Sequence, residues 1–108
     1  MNTLRITETA ALAIVEQADY YLQESDGALA QRWSESVDRA MHSLLQFPER
    51  GALCHFRSAS LEGMRWIFVP GFKRHIVFYR FLREEHVVLV VHVLHSSRNL
   101  RAIFAEGS

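Results

Sequence analysis

Two apolar runs, His75 to Leu82 and Val87 to Leu94, stand on either side of the polar break Arg83-Glu84-Glu85-His86. Both are dense in Val, Ile, Phe and Tyr, and so short a polar break between such runs predicts an antiparallel hairpin. A third strand is expected over Arg65 to Val69, closed by the turn dipeptide Pro70-Gly71. The run V-V-L-V-V-H-V-L does not alternate, which implies burial on both faces and an interior place in the sheet. After Leu94 the β-branched run stops, and Arg98 to Phe104 switches to helical spacing, predicting a short C-terminal helix.

The upstream half reads differently. Asn2 to Ile6 is strand-like, and Thr7 to Gln23 carries Ala11, Val15, Ala18 and Leu22 at helical spacing, with Ile14 and Tyr21 beside them. Thr7 or Thr9 can cap this helix, and Ser25-Asp26-Gly27 ends it while offering a side-chain oxygen to the next. A second helix starts near Ala28, with the inward stripe Trp33, Val37, Ala40 and Leu44, and stops before Pro48. The short joint makes the two an αα-hairpin. Glu49 to Ser60 is irregular in composition and reads as the longest loop. The expected architecture is α+β: an N-terminal strand, an αα-hairpin, a three-stranded antiparallel sheet and a short C-terminal helix, all within a single domain spanning residues 1–108.

Charge is zero overall but unevenly spread. From Met1 to Pro48 three arginines face seven carboxylates, a net of −4; from Glu49 onward nine cations face five glutamates, a net of +4. The neutral total argues against strong non-specific affinity for nucleic acid, while the split could orient an anionic partner onto the sheet half. One cysteine, Cys54, and an N-terminus without an apolar leader point to a reducing cytoplasm. The longest apolar run falls well short of the roughly 20 residues a membrane helix needs. No Gly-rich phosphate loop, nucleophile elbow or cysteine cluster is present, and no cofactor is expected. His92 and His95 are an odd number apart on one strand, so they face opposite sides of a regular strand and do not form a metal pair.

Several pieces occur together in a recognisable order. Phe47-Pro48-Glu49-Arg50-Gly51 is followed by L-E-G-M-R from Leu61 to Arg65, by P-G-F, by the strand I-V-F-Y-R, and finally by V-L-H-S-S-R-N-L. In this the chain resembles the RelE/ParE superfamily of bacterial toxins, and its ParE branch above all. The resemblance covers nearly the whole chain. It implies the toxin of a type II toxin-antitoxin pair, neutralised by a cognate antitoxin, ParD-like or other.

The resemblance leaves two kinds of action open. ParE-type members inhibit DNA gyrase by binding, whereas RelE-type members cleave messenger RNA on the ribosome. Cleavage needs a base, an acid and a cation at the developing phosphorane charge. Arg65 and Arg98 match family arginines that could supply the charge, and His95 is the one family-matched residue able to move a proton. RelE itself is expected to use a lysine pair and a tyrosine. Here Arg50 and Arg57 stand in the lysine loop and Phe104 falls where the tyrosine would be, and neither residue type transfers protons readily. The gyrase-inhibitor reading is therefore preferred, with Arg65, Lys73, Arg74, Arg98 and Arg101 as the expected effector face. Leu12, Tyr20, Leu29, Met41 and Leu45, outside the main helical stripes, are the expected antitoxin contacts. A homologue that only binds its antitoxin and lacks toxicity is the third reading.

Overall fold

The computed structural model describes residues 1–54 and 63–96. The elements run β1 (Thr3–Ile6), α1 (Glu8–Glu24), α2 (Gly27–Gln46), β2 (Ala52–Leu53), β3 (Arg65–Val69), β4 (Phe72–Leu82), a 3-10 turn (Arg83–Glu85) and β5 (Val87–His95). The helix expected from Arg98 to Phe104 lies outside the described residues.

The three predicted strands are present, but among the described residues the sheet has five, in the order β1-β5-β4-β3-β2, and it is mixed. The correction comes from both edges. The N-terminal strand is not separate from the sheet: it pairs in parallel with β5, from Thr3 opposite Val87 to Ile6 opposite Val90. At the far edge two residues of the irregular loop, Ala52 and Leu53, pair with Trp66 and Arg65. β5 thus lies between β1 and β4, which is why its sequence is apolar on both faces.

Helix starts are set by side-chain oxygens. Thr7 accepts from the Ala10 amide at 3.1 Å and also donates its hydroxyl to the Val91 carbonyl at 2.8 Å, tying the start of α1 to β5. Asp26 accepts from Leu29 at 2.7 Å and starts α2. Each cap satisfies an amide that has no partner inside its helix. Pro70-Gly71 joins β3 to β4, and Gly71 has φ +80°, a conformation glycine adopts at little cost.

α2 buries the expected stripe: Trp33, Val37, Ala40 and Leu44 are all at most 2% exposed, joined by Ser36 and Met41. Trp33 donates its indole N–H to the Ile14 carbonyl at 3.3 Å, so its polar atom is satisfied inside the core. In α1 the stripe is rotated from the expected one. Ala10, Ile14, Ala18 and Tyr21 pack inward, whereas Val15 and Leu22 are 55% and 56% exposed. Both sets fit a helical period, so spacing alone could not choose between them.

The sheet buries both faces. On the helix side lie Ile67, Val69, Val77, Tyr79, Val88, Val90 and Val93. A second cluster of Met64, Ile76, Phe78 and Leu94, with Cys54 and Trp66 against it, occupies the other face. The β4–β5 register shifts between Phe78 and Tyr79, leaving Val91 as an extra residue. This bulge resets the alternation, so that Val88 and Val90 before it, and Val93 and His95 after it, face the helices.

Candidate functional site

Three surfaces gather the residues able to bind or react. The first is a groove of about 750 Å³ between α1 and the ends of β4 and β5, lined by Gln17, Tyr20, Tyr21, Trp33, His75 and His95 among others. Strand pairing sets His95 beside His75 and His92 beside Phe78, and both His92 and His95 line the groove. His75 is only 3% exposed. Its Nε2 is hydrogen-bonded to the Tyr21 hydroxyl at 2.8 Å, its ring lies 4.3 Å from that of Trp33, and the His95 ring meets it edge-on at 4.9 Å.

Burial pushes the His75 pKa down to about 4, and charge on His95 adds to the effect. Burial likewise raises the Tyr21 hydroxyl. Near neutral pH the Tyr21–His75 pair is therefore uncharged, a hydrogen-bonded anchor beneath the groove. Among the described residues no three His, Cys, Asp or Glu side chains converge on a possible metal position.

The second surface holds Arg65. Its guanidinium donates to the Gly51 carbonyl at 2.7 Å and the Glu49 carbonyl at 3.1 Å, with the Glu49 carboxylate at 3.9 Å. Arg83 binds the same carboxylate. The turn after α2 is thereby fixed to the sheet, and Tyr79 completes the attachment by accepting the Gly51 amide at 2.9 Å. Neither the tyrosine nor the Glu49 contact is visible as a motif, because the partners are separated by 16 to 34 residues.

Of the expected ribonuclease set, Arg98 lies outside the described residues, and Arg65 and His95 stand opposite different residues of β4. Arg65 pairs with Tyr79 and His95 with His75, four residues apart on β4, which is roughly 13 Å at the rise of a strand. Buried Val77 and Tyr79 fill the helix-side face between them. Of the expected effector residues, Lys73 and Arg74 are exposed at the start of β4, and Arg98 and Arg101 lie outside the described residues.

The third surface is the outer side of the helix pair. Leu12, Val15, Tyr20 and Leu22 on α1 are more than half exposed, and Tyr20 also lines the groove. Among the expected antitoxin contacts Leu12 and Tyr20 are thus accessible, Leu29 is half-buried at a second, smaller cleft, and Leu45 packs against the core. Met41 is 5% exposed and belongs to the core, because it sits one position beyond Ala40 on the buried side of α2. The spacing predicts Val15 and Leu22 in the core, but both are exposed, because the buried side of α1 runs through Ala10, Ile14, Ala18 and Tyr21.

Comparison with known proteins agrees with this architecture. Residues 4–100 match the family described as the ParE toxin of the type II toxin-antitoxin system, parDE. No curated sequence is similar enough to match. Among solved structures, the chromosomal ParDE toxin-antitoxin system from P. aeruginosa superposes with a TM-score of 0.71 at 16% identity, covering 88% of this chain and 96% of that one. The RelBE2 toxin-antitoxin complex from Mycobacterium tuberculosis gives 0.60 at 20% identity over 87% of this chain and 96% of its own. The intact E. coli RelBE complex gives 0.57 at 15% identity over 91% and 100%.

Proposed function

The chain belongs to the ParE toxin family of type II toxin-antitoxin systems, and from that premise we propose that it acts by binding DNA gyrase rather than by cleaving RNA. The separation of Arg65 from His95 carries this choice. An RNA-cleaving site needs its cation and its proton-transfer group around one phosphate, within hydrogen-bond reach of the reacting atoms. Here the Arg65 guanidinium is turned onto Glu49 and Gly51, and the two residues lie toward opposite ends of β4. Binding makes no such demand. Exposed Lys73 and Arg74 are the part of the effector face that the described residues leave open to a partner.

The antitoxin is the second partner in this reading. Leu12, Val15 and Leu22 form an apolar stripe on α1 with solvent on its outer side, a surface suited to the apolar face of a partner helix. Three solved relatives in the comparison are toxin-antitoxin systems or complexes, which supports a cognate antitoxin as the occupant.

The test is purified protein in a gyrase supercoiling reaction on relaxed plasmid, run beside in vitro translation of a defined message. Loss of supercoiling or accumulation of linear DNA, with translation intact, is the expected result. Cleaved message with gyrase unaffected would replace this reading with the ribonuclease one. Inertness in both reactions, with antitoxin binding retained, would identify a non-toxic homologue.

A further inference from the structure

The acidic first half of the chain has only three cations up to Pro48, namely Arg5, Arg32 and Arg39. Two of them border one cleft. Arg32 and Arg39 are seven residues apart on α2, hence on the same side of the helix two turns apart, with Ser36 between them. With the turn Pro70-Gly71 and with Phe72 they line a cleft of about 380 Å³. Ser36 is 6% exposed and accepts a long, 3.4 Å contact from Arg39. Among the described residues no carboxylate lines the cleft, and neither arginine forms an ion pair.

Two arginines lining one cleft beside a buried hydroxyl offer several N–H donors to an oxyanion, and no carboxylate among the described lining residues neutralises them. The size and walls decide which oxyanion. A nucleic-acid backbone asks for a long basic track, which a chain of zero net charge and an acidic helical half does not supply. A single carboxylate flanked by apolar residues suits a small cleft whose other walls are Leu29, Pro70 and Phe72. We infer that the α2–turn cleft seats an acidic side chain of a peptide segment of the antitoxin, held between Arg32 and Arg39. This rests on the family reading of the partner given above. Lys73 and Arg74 follow Phe72 directly and are exposed, so a segment seated in the cleft would lie beside the proposed effector face.

The experiment measures affinity of the full-length toxin for its cognate antitoxin at several salt concentrations, using wild type, Arg32→Gln/Arg39→Gln and Arg32→Glu/Arg39→Glu. Circular dichroism and thermal melting accompany each variant; both arginines are exposed, so unchanged folding is expected. The neutralised pair should bind about tenfold more weakly near ~0.1 M salt, the reversed pair more weakly still, with the gap narrowing as salt rises. Wild-type and variant affinities within about twofold would overturn the cleft. No binding by wild type would instead overturn the antitoxin reading on which it rests. Unchanged antitoxin affinity with lost retention of duplex DNA would assign the cleft to a phosphate and overturn the acidic-peptide proposal.

Discussion

The Gly51 amide donates to the Tyr79 hydroxyl at 2.9 Å, joining the turn that follows α2 to the middle of β4 across 28 residues of sequence. Both groups are buried, so neither can exchange this bond for water. A Cβ on residue 51 would fall 2.5 Å from the Tyr79 oxygen and 2.9 Å from the Trp66 carbonyl.

Tyr79→Phe should therefore cost about 1–3 kcal/mol, the penalty of leaving a buried amide without a partner. Gly51→Ala should cost a similar ~1–3 kcal/mol by overpacking against the ring and the backbone. Denaturant unfolding of the two single variants and the double checks this. Because the residues touch, the double variant should fall short of the sum of the singles.

Arg65 serves the same attachment, and its replacement separates fold from effector contact. Arg65→Lys keeps the charge but loses the planar fork that reaches two carbonyls and Glu49. A loss of about 1–2 kcal/mol is expected for both Arg65→Lys and Arg65→Ala. Growth inhibition should then follow the folded fraction in both variants. Full toxicity in Arg65→Lys with none in equally folded Arg65→Ala would return Arg65 to the effector face.

His75 ties stability to acidity. Its folded pKa of about 4 lies below the ordinary value of 6.5, so between those values the unfolded chain binds a proton that the folded chain refuses. Stability from this residue is full above pH 6.5 and falls as pH drops toward 4, by up to about 1.4 kcal/mol per pH unit. His75→Gln, which keeps a polar partner for Tyr21, should flatten that slope. Unfolding free energy measured from pH 7 to 4.5 in both proteins is the check, and equal slopes would contradict it.

What the sequence made legible was what periodicity and turn chemistry encode locally. The hairpin, the Pro70-Gly71 turn, the Asp26 cap and the α2 stripe each depend on neighbours a few residues apart, and each is found. The parallel pairing of Thr3–Ile6 with Val87–Val90 depends on contacts more than 80 residues apart and leaves no local mark. The bulge at Val91 was hidden for another reason: a run that is apolar on both faces has no phase to interrupt. Residues of the candidate site divide the same way. His95 could be placed on a strand end, but its neighbour His75 and the Tyr21 contact beneath them arise only from packing.

The rotated stripe of α1 can be tested directly. Ala10 is fully buried and Ala11 is exposed, although they are adjacent and chemically identical. Ala10→Leu should overpack the core and cost about 1–3 kcal/mol, whereas Ala11→Leu should change stability by less than ~0.5 kcal/mol. Leu12→Gln and Leu22→Gln should be similarly mild for folding, because both side chains are more than half exposed. Their effect should appear elsewhere: the free toxin should become more soluble as an apolar patch is removed, and antitoxin should bind about tenfold or more weakly if its helix covers that patch. A fall in melting temperature for Ala11→Leu and Leu22→Gln, with Ala10→Leu tolerated, would restore the inward stripe of Ala11, Val15, Ala18 and Leu22 and move the docking surface to the other side of the helix.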